Sequence, residues 1–323
     1  MRDFLSERKM RTVLRGNYSE WREVKSGVPQ GSVLAPILFL VYINDMSSDI
    51  GNESYLNMFA DDAKIQRKIT DTNSCKELQE ELNKLHEWSN MWKMEFNADK
   101  CHVMKFGESA KRPEWNYTLG NTILQVSKKE KDLGVTINDK MSPTDHINEK
   151  VRKVYNMLAN MRIAFTYIDE NMLRTIISTF IRPVLEYAAV VWSPHQKKHI
   201  NKIEKVQRAA TKWAPSLKHL SYEERLEKLN LPTLEQRRVR GDMITLYKCA
   251  TGREQIDKED YITYNESTPR GHSKKLFKKA ATKDVRKYSF PNRAIDRWNA
   301  LPDQVVIASN IHKFKDLYDK CSL

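Results

Sequence analysis

Gly27-Val-Pro-Gln-Gly-Ser-Val-Leu-Ala-Pro-Ile-Leu-Phe39 and, further on, Phe59-Ala-Asp-Asp62 are the two stretches on which the reading of this chain turns. In the first, two glycines let the backbone come close to a ligand. Gln30 offers both a donor and an acceptor. Ser32 can cap a helix whose free N–H groups favour phosphate. Residues 33–45 are apolar nearly all round, which predicts a helix buried on several faces, with Pro36 tolerated in its first turn. In the second stretch, residues 55–65 alternate around the two aspartates and read as strand, tight turn, strand. Adjacent carboxylates at such a tip present negative charge where a polymerase holds two Mg²⁺ ions for phosphoryl transfer. Taken singly, an Asp-Asp pair is usually a solvated turn and a Gly-rich segment a structural one.

Outward from these stretches the pattern is mixed. Residues 11–14 and 21–24, with Gly16-Asn17 between them, suggest a β-hairpin. Leu78, Leu82, Leu85, Trp88 and Trp92 recur at helical spacing. Short strands follow at 101–106 and 133–137. After Pro143 the apolar spacing becomes three and four over 145–166, 169–190, 196–213 and 233–251, broken at Ser193-Pro194 and Leu231-Pro232, as in a helical bundle. Residues 252–290 are irregular and basic, and two amphipathic helices close the chain around Leu301-Pro302. The expected class is α+β.

The order and spacing of these blocks resemble the reverse transcriptases of non-LTR, jockey-like retrotransposons. Residues 27–39, with Tyr42-Ile-Asn-Asp45 after them, resemble motif B of that family, and Phe59-Ala-Asp-Asp62 resembles motif C. Trp92-Lys-Met-Glu-Phe-Asn-Ala-Asp-Lys-Cys-His-Val-Met104 is similar to motif D, and Leu133-Gly-Val-Thr-Ile137 to the primer-grip motif E. Arg182-Pro-Val-Leu-Glu-Tyr-Ala-Ala-Val-Val-Trp-Ser-Pro194, Glu204-Lys-Val-Gln-Arg-Ala-Ala-Thr-Lys212 and Arg297-Trp-Asn-Ala-Leu-Pro-Asp-Gln-Val-Val306 resemble the family's thumb and C-terminal end. The resemblance implies a partial polymerase palm over 1–140, an antiparallel sheet with helices. It implies a helical thumb-like region over 141–251 and a basic, helical C-terminal region over 252–323.

By position, Asp61 and Asp62 would hold Mg²⁺, and Lys100 would serve as a proton donor to the leaving pyrophosphate, against the plain reading of a surface lysine. Gly27, Pro29, Gln30, Gly31, Ser32, Phe59 and Ala60 would border the nucleotide pocket. Leu133 and Gly134 would position the primer end. The implied partners are an RNA template, a DNA primer and deoxynucleoside triphosphates. The family's motif A aspartate has no counterpart before Gly27, where Asp3 in Arg-Asp-Phe-Leu does not match. The expectation is therefore an N-terminally truncated polymerase, with little or no activity alone and a palm sheet with an exposed edge. The rival readings are a non-catalytic nucleic-acid-binding remnant and a co-opted interaction protein.

Composition narrows the field. The chain has 323 residues, 40% hydrophobic and 30% charged, an ordinary globular balance. No apolar run is long enough to span a bilayer, and the start has no signal-peptide core. Four cysteines, at 75, 101, 249 and 321, lack metal-site spacing, so the expectation is an intracellular protein, nuclear or cytoplasmic, with reduced thiols. Residues 1–150 carry 22 Lys+Arg against 23 Asp+Glu, and residues 151–323 carry 33 against 19. A polyanion partner is expected for the second half. Its densest basic run is Arg270, Lys274, Lys275, Lys278, Lys279, Lys283, Arg286 and Lys287, with Phe277 and Tyr288 as stacking candidates. Trp192, Trp213 and Trp298 are expected in cores.

Overall fold

In the computed structural model, which describes residues 5–25, 27–28, 31–48, 50–107, 112–254, 261–265 and 271–322, alternation sets the N-terminal strands. Lys9–Met10 (β1) pairs antiparallel with Arg22–Glu23 (β4), and Val13–Leu14 (β2) with Asn17–Tyr18 (β3). The inner pair turns through Arg15 and Gly16, both with positive φ, the pairing a type I′ hairpin requires. Helix α1 spans Ala35–Ile43 and runs into a 3₁₀ turn, Asn44–Ser47. Ser54–Phe59 (β5) and Asp62–Arg67 (β6) form a long antiparallel hairpin, and no third strand joins it among the described residues. Helix α2, Thr72–Met91, starts at a capping box. The Asp71 carboxylate accepts the Ser74 N–H at 2.8 Å, and the Ser74 hydroxyl oxygen accepts the Asp71 N–H at 3.1 Å. The Ser74 N–H, first among its partners, holds the Asp71 carboxyl below the usual carboxylate range.

The chain divides into two units, residues 1–103 with 108–127, and residues 104–107 with 128–323. The first unit has a modest core of Ile43, Met46, Cys75, Leu82, Leu85 and Trp88 with the short-strand residues Tyr117, Leu119 and Leu124; Leu56, Met58 and Ile65 of the β5–β6 hairpin pack against it.

Helix α1 departs from expectation. Only Ala35 and Ile43 of its nine residues are buried, while Ile37, Leu40 and Val41 are exposed, Val41 by 72%. Ile43 and Phe39 turn towards the core, and nothing among the described residues covers the remaining faces.

The second unit opens with a hairpin, Lys129–Asp132 (β11) against Val135–Asn138 (β12), numbered after the short strands His102–Met104 (β7), Thr118–Leu119 (β8), Thr122–Ile123 (β9) and Gln125–Ser127 (β10). Helices follow: Thr144–Ala164 (α3), Glu170–Ile176 (α4), Arg182–Glu186 (α5), Ala189–Trp192 (α6), Lys197–Ala210 (α7), Tyr222–Lys228 (α8) and Leu234–Ala250 (α9). The single helix expected over 169–190 is interrupted by a π-helical turn at Ile177–Ile181. Pro183 lacks an N–H and its ring crowds the carbonyl four residues back, which favours the wider turn. Helix α8 was not foreseen; its signal is the box Ser221-Tyr-Glu-Glu224, whose two reciprocal hydrogen bonds form as drawn for such motifs.

Two cores lie in this unit. One gathers Ile147, Val151, Val154, Leu158, Leu173, Ile177, Ile181, Ile203, Val206, Leu217 and Leu234. The other gathers Met243, Leu246, Tyr247, Trp298, Val305 and Phe314 with the last helices, Asp284–Lys287 (α10), Asn292–Asn299 (α11), Asp303–Val306 (α12) and Ile311–Ser322 (α13). Helix α9 thus gives its first turn to one core and its second half to the other. Trp192 and Trp298 are buried and Trp213 packs half-buried against the first core, as expected. The class is mixed helix and antiparallel strand.

Candidate active site and nucleic-acid surface

The β5–β6 hairpin is held at its open end and free at its tip. Ser54, the first residue of β5, is opposite Arg67, the last of β6. Arg67 donates to the Ser54 hydroxyl at 3.0 Å and to the buried Glu81 carboxylate of α2 at 3.1 Å, and also pairs with Glu77. Glu81 further accepts the Gly51 N–H at 3.2 Å. The Arg67 and Glu81 side chains are 8% and 6% exposed, so the pair is shielded from solvent screening. Sequence reading missed it. The available signal was Glu81 in the apolar stripe between Leu78 and Leu85.

At the other end Phe59 pairs with Asp62, leaving Ala60 and Asp61 as the two-residue loop. Ala60 has φ of 52°, a left-handed conformation costing a residue with a Cβ roughly 1–2 kcal/mol. Phe59, Ala60, Asp61 and Asp62 are all exposed. The tip therefore offers two adjacent carboxylates on a short, strained turn. Among the described residues no group of three His, Cys, Asp or Glu side chains is gathered that could hold a metal ion. Two carboxylates are a beginning for Mg²⁺, which needs six oxygens, but they do not by themselves make the two-ion site the resemblance implies.

In the glycine-rich segment Pro29 and Gln30 lie outside the described residues. Gly27 and Gly31 have φ of 79° and 82°, and a Cβ on either would meet open space, so backbone conformation and not crowding selects glycine there. The Gly27 carbonyl accepts from Arg8 at 2.7 Å. The Ser32 hydroxyl accepts the Ala35 N–H at 3.1 Å, the capping role expected of it. Lys100 is exposed, in a 3₁₀ turn over Ala98–Lys100.

Leu133 and Gly134 are not strand residues but the loop of the β11–β12 hairpin, with φ of 43° and 82°. Both carbonyls are tied down. Tyr187 OH donates to the Leu133 oxygen at 2.9 Å, and Lys150 donates to the Gly134 oxygen at 3.1 Å. A Cβ on Gly134 would approach the Tyr187 ring to 3.1 Å, so this glycine is fixed by both φ and space. Beneath the loop, the Thr136 N–H donates to His146 Nδ1 at 3.0 Å and the Thr136 hydroxyl to Glu149 at 2.7 Å. Burial, then the charge of Lys150, pushes the His146 imidazole down to about 4.

The thumb-like motifs resolve into a buried polar network that periodicity does not reveal. Arg182 donates to Gln207 at 3.0 Å and to the Pro232 carbonyl at 2.6 Å. Gln207 donates to Tyr222 OH at 3.1 Å, and Tyr222 OH donates to Glu204. Burial lowers Arg182 to about 10, where it remains a cation at neutral pH.

Of the basic run, Arg270 lies outside the described residues. Lys274 and Lys275 are half-buried, and Lys278 pairs with Asp296. The segment is anchored. The Trp298 indole donates to the Lys274 carbonyl at 2.8 Å, and Asn299 exchanges two 2.9 Å hydrogen bonds with the Leu276 backbone. Lys279, Lys283, Arg286 and Lys287 are exposed. Phe277 is exposed and free to stack, but Tyr288 is already stacked on His195, with ring centroids 3.8 Å apart.

Residues 1–137 match the family model for reverse transcriptase (RNA-dependent DNA polymerase). The chain is 27% identical over 219 residues to the RNA-directed DNA polymerase from mobile element jockey of Drosophila melanogaster, covering 64% of this chain. It is 26% identical over 227 residues, 65% of this chain, to the probable RNA-directed DNA polymerase from transposon BS of the same fly. A third similar protein is the probable RNA-directed DNA polymerase from transposon X-element, 24% identical over 218 residues. In each case the match spans 24% of the relative, so the chain corresponds to about a quarter of their length. The aligned stretches exceed the 137 residues of the family match, so the similarity continues into the helical unit.

Proposed function

We propose, for this relative of the reverse transcriptases of non-LTR retrotransposons, that the chain carries the motif B to motif E part of an RNA-directed DNA polymerase. Residues 1–140 are its palm portion, 141–251 a thumb-like region and 252–323 a basic C-terminal region. Asp61 and Asp62 furnish carboxylates toward a divalent-ion site. Gly27, Pro29, Gln30, Gly31, Ser32, Phe59 and Ala60 border the nucleotide. Lys100 donates a proton to the leaving group, and Leu133 and Gly134 position the primer end. The observation that carries this reading is the β5–β6 hairpin, with a buried ion pair gripping its base and a strained, doubly acidic tip left open.

With two carboxylates and no third ligand grouped with them, the 323-residue chain is expected to extend a primer on RNA feebly or not at all. Weak Mn²⁺ binding, followed by water-proton relaxation, should still occur and vanish in Asp61→Asn/Asp62→Asn. Retention of Mn²⁺ binding in that double variant would remove the tip from the site. Robust extension by the wild-type chain would refute the incompleteness.

A second reading, nucleic-acid binding without catalysis, is favoured by the 33 Lys+Arg against 19 Asp+Glu of residues 151–323 and by exposed Lys279, Lys283, Arg286 and Lys287. Such binding releases counterions, so affinity for RNA falls steeply with salt. An affinity flat between low and moderate salt would end this reading.

A further inference from the structure

We propose that a cleft of about 190 Å³ between helices α7, α9 and α11 receives a backbone phosphate of the bound nucleic acid, with Arg238 as its buried cation. This rests on the nucleic-acid reading above. Arg238, in α9, lines the cleft and is only 5% exposed. Its Nη1 and Nη2 atoms are shut off from solvent and have no hydrogen-bond partner among the described residues. A guanidinium left this way forfeits several donor contacts in a low-dielectric setting.

The neighbouring carboxylates do not answer it. Glu204, Glu235, Glu186 and Asp242 lie close enough to attract Arg238. Glu204 is occupied by Tyr222 OH and by the Leu234 N–H. Glu186 is engaged by both arms of Arg237, and Asp242 by both arms of Arg293 at 2.8 Å each. Glu235 is at the exposed rim. Across the cleft stand Arg293 and Arg297, with His195 stacked on Tyr288.

An oxyanion entering here would meet a forked donor suited to two of its oxygens. The volume suits one tetrahedral group and leaves no room for a base. Two observations favour a phosphate of a polymer over an acidic peptide. The exposed cations Lys283, Arg286 and Lys287 lead directly in sequence to Tyr288 on the cleft wall, so a strand tracking that run is carried to the cleft. The basic excess of the half also suits regularly spaced phosphates.

The test is anisotropy titration of the full chain with a single-stranded RNA oligonucleotide at several salt concentrations, comparing wild type with Arg238→Met. Loss of one buried phosphate contact should weaken binding about tenfold and flatten the log–log salt slope by about 0.7. The melting temperature should hold or rise, because a partnerless buried charge has gone. Unchanged affinity and slope in Arg238→Met, with wild-type binding intact, overturns the site and leaves the nucleic-acid reading standing. No salt-sensitive RNA binding by wild type overturns both. Should Arg238→Met not fold, the exposed rim variant Arg297→Gln takes its place: weaker RNA binding with a flatter slope is expected, and no change overturns the proposal. A substitution that abolishes poly-glutamate binding but spares RNA also overturns it.

Discussion

Helices α1 and α9 are near opposites. Every residue of Ala35–Ile43 is apolar, yet two are buried. Leu234–Ala250 is rich in charge, yet eight of its seventeen residues are buried, Arg238 and Asp242 among them. Apolarity states how much surface a helix must hide, but not what hides it. In α9 the apolar positions fall where two cores meet them, while in α1 they point in all directions and one stripe finds a partner. The first unit is accordingly thinly packed and the second densely so, although both come from one chain.

The contrast can be broken most forcefully at Trp298. It is fully buried, and its indole N–H is bonded to the Lys274 carbonyl. Trp298→Ala should cost about 3–5 kcal/mol in chemical denaturation of the second unit. A loss under 1 kcal/mol would mean that this core is as loose as the first.

Acid should act on the second unit through His146, whose faces meet Thr136, Glu149, Lys150, Lys131 and the Trp192 ring. Its folded pKa lies below the unfolded value, so the unfolded chain takes up the proton first. The stabilisation is complete above about 6.5 and is lost as pH falls towards about 4. The loss should be on the order of 2–3 kcal/mol. The thiol-free range between pH 7 and 5 isolates it from the depressed Glu149 carboxyl, which titrates lower. A His146→Gln variant should be flat there, and a wild type equally flat would show that His146 accepts a proton in place.

How much was legible follows the range of each interaction. Periodicity located α2, α3, α7 and α9 within a few residues, because packing of a helix stripe is written locally. Alternation located the β5–β6 hairpin and put Asp61 and Asp62 at its turn. The π-helical turn at residues 177–181 was missed because Pro183 was weighed as part of a motif and not as a missing donor. The Arg67–Glu81 and Arg182–Gln207–Tyr222–Glu204 contacts join residues distant in sequence, and no spacing rule announces such partners. Leu133 was read as strand because its neighbours alternate. Its positive φ shows that the hairpin's register, set by four β11–β12 pairs, outweighed local preference.

A smaller effect should appear at the acidic tip. Ala60→Gly relieves the left-handed strain and should stabilise the first unit by up to about 1 kcal/mol in urea. Destabilisation instead would show that the Ala60 methyl group makes a contact worth more than the strain. The smallest effect belongs to α1. Val41→Ser, on an exposed face, should change stability within about ±0.5 kcal/mol and lower aggregation in light scattering. A cost above 1 kcal/mol would mean that this face is covered in solution.

Because α9 is continuous between two cores, its residue count is a phase constraint. Inserting one amino acid beside Gly241 would rotate everything after it by about 100°, swinging Met243, Leu246 and Tyr247 off their neighbours while Leu234 stayed seated. The same insertion in the bend at residues 193–196 would be absorbed by the loop. Length variation in this region should therefore be tolerated between helices and forbidden along the one that joins them.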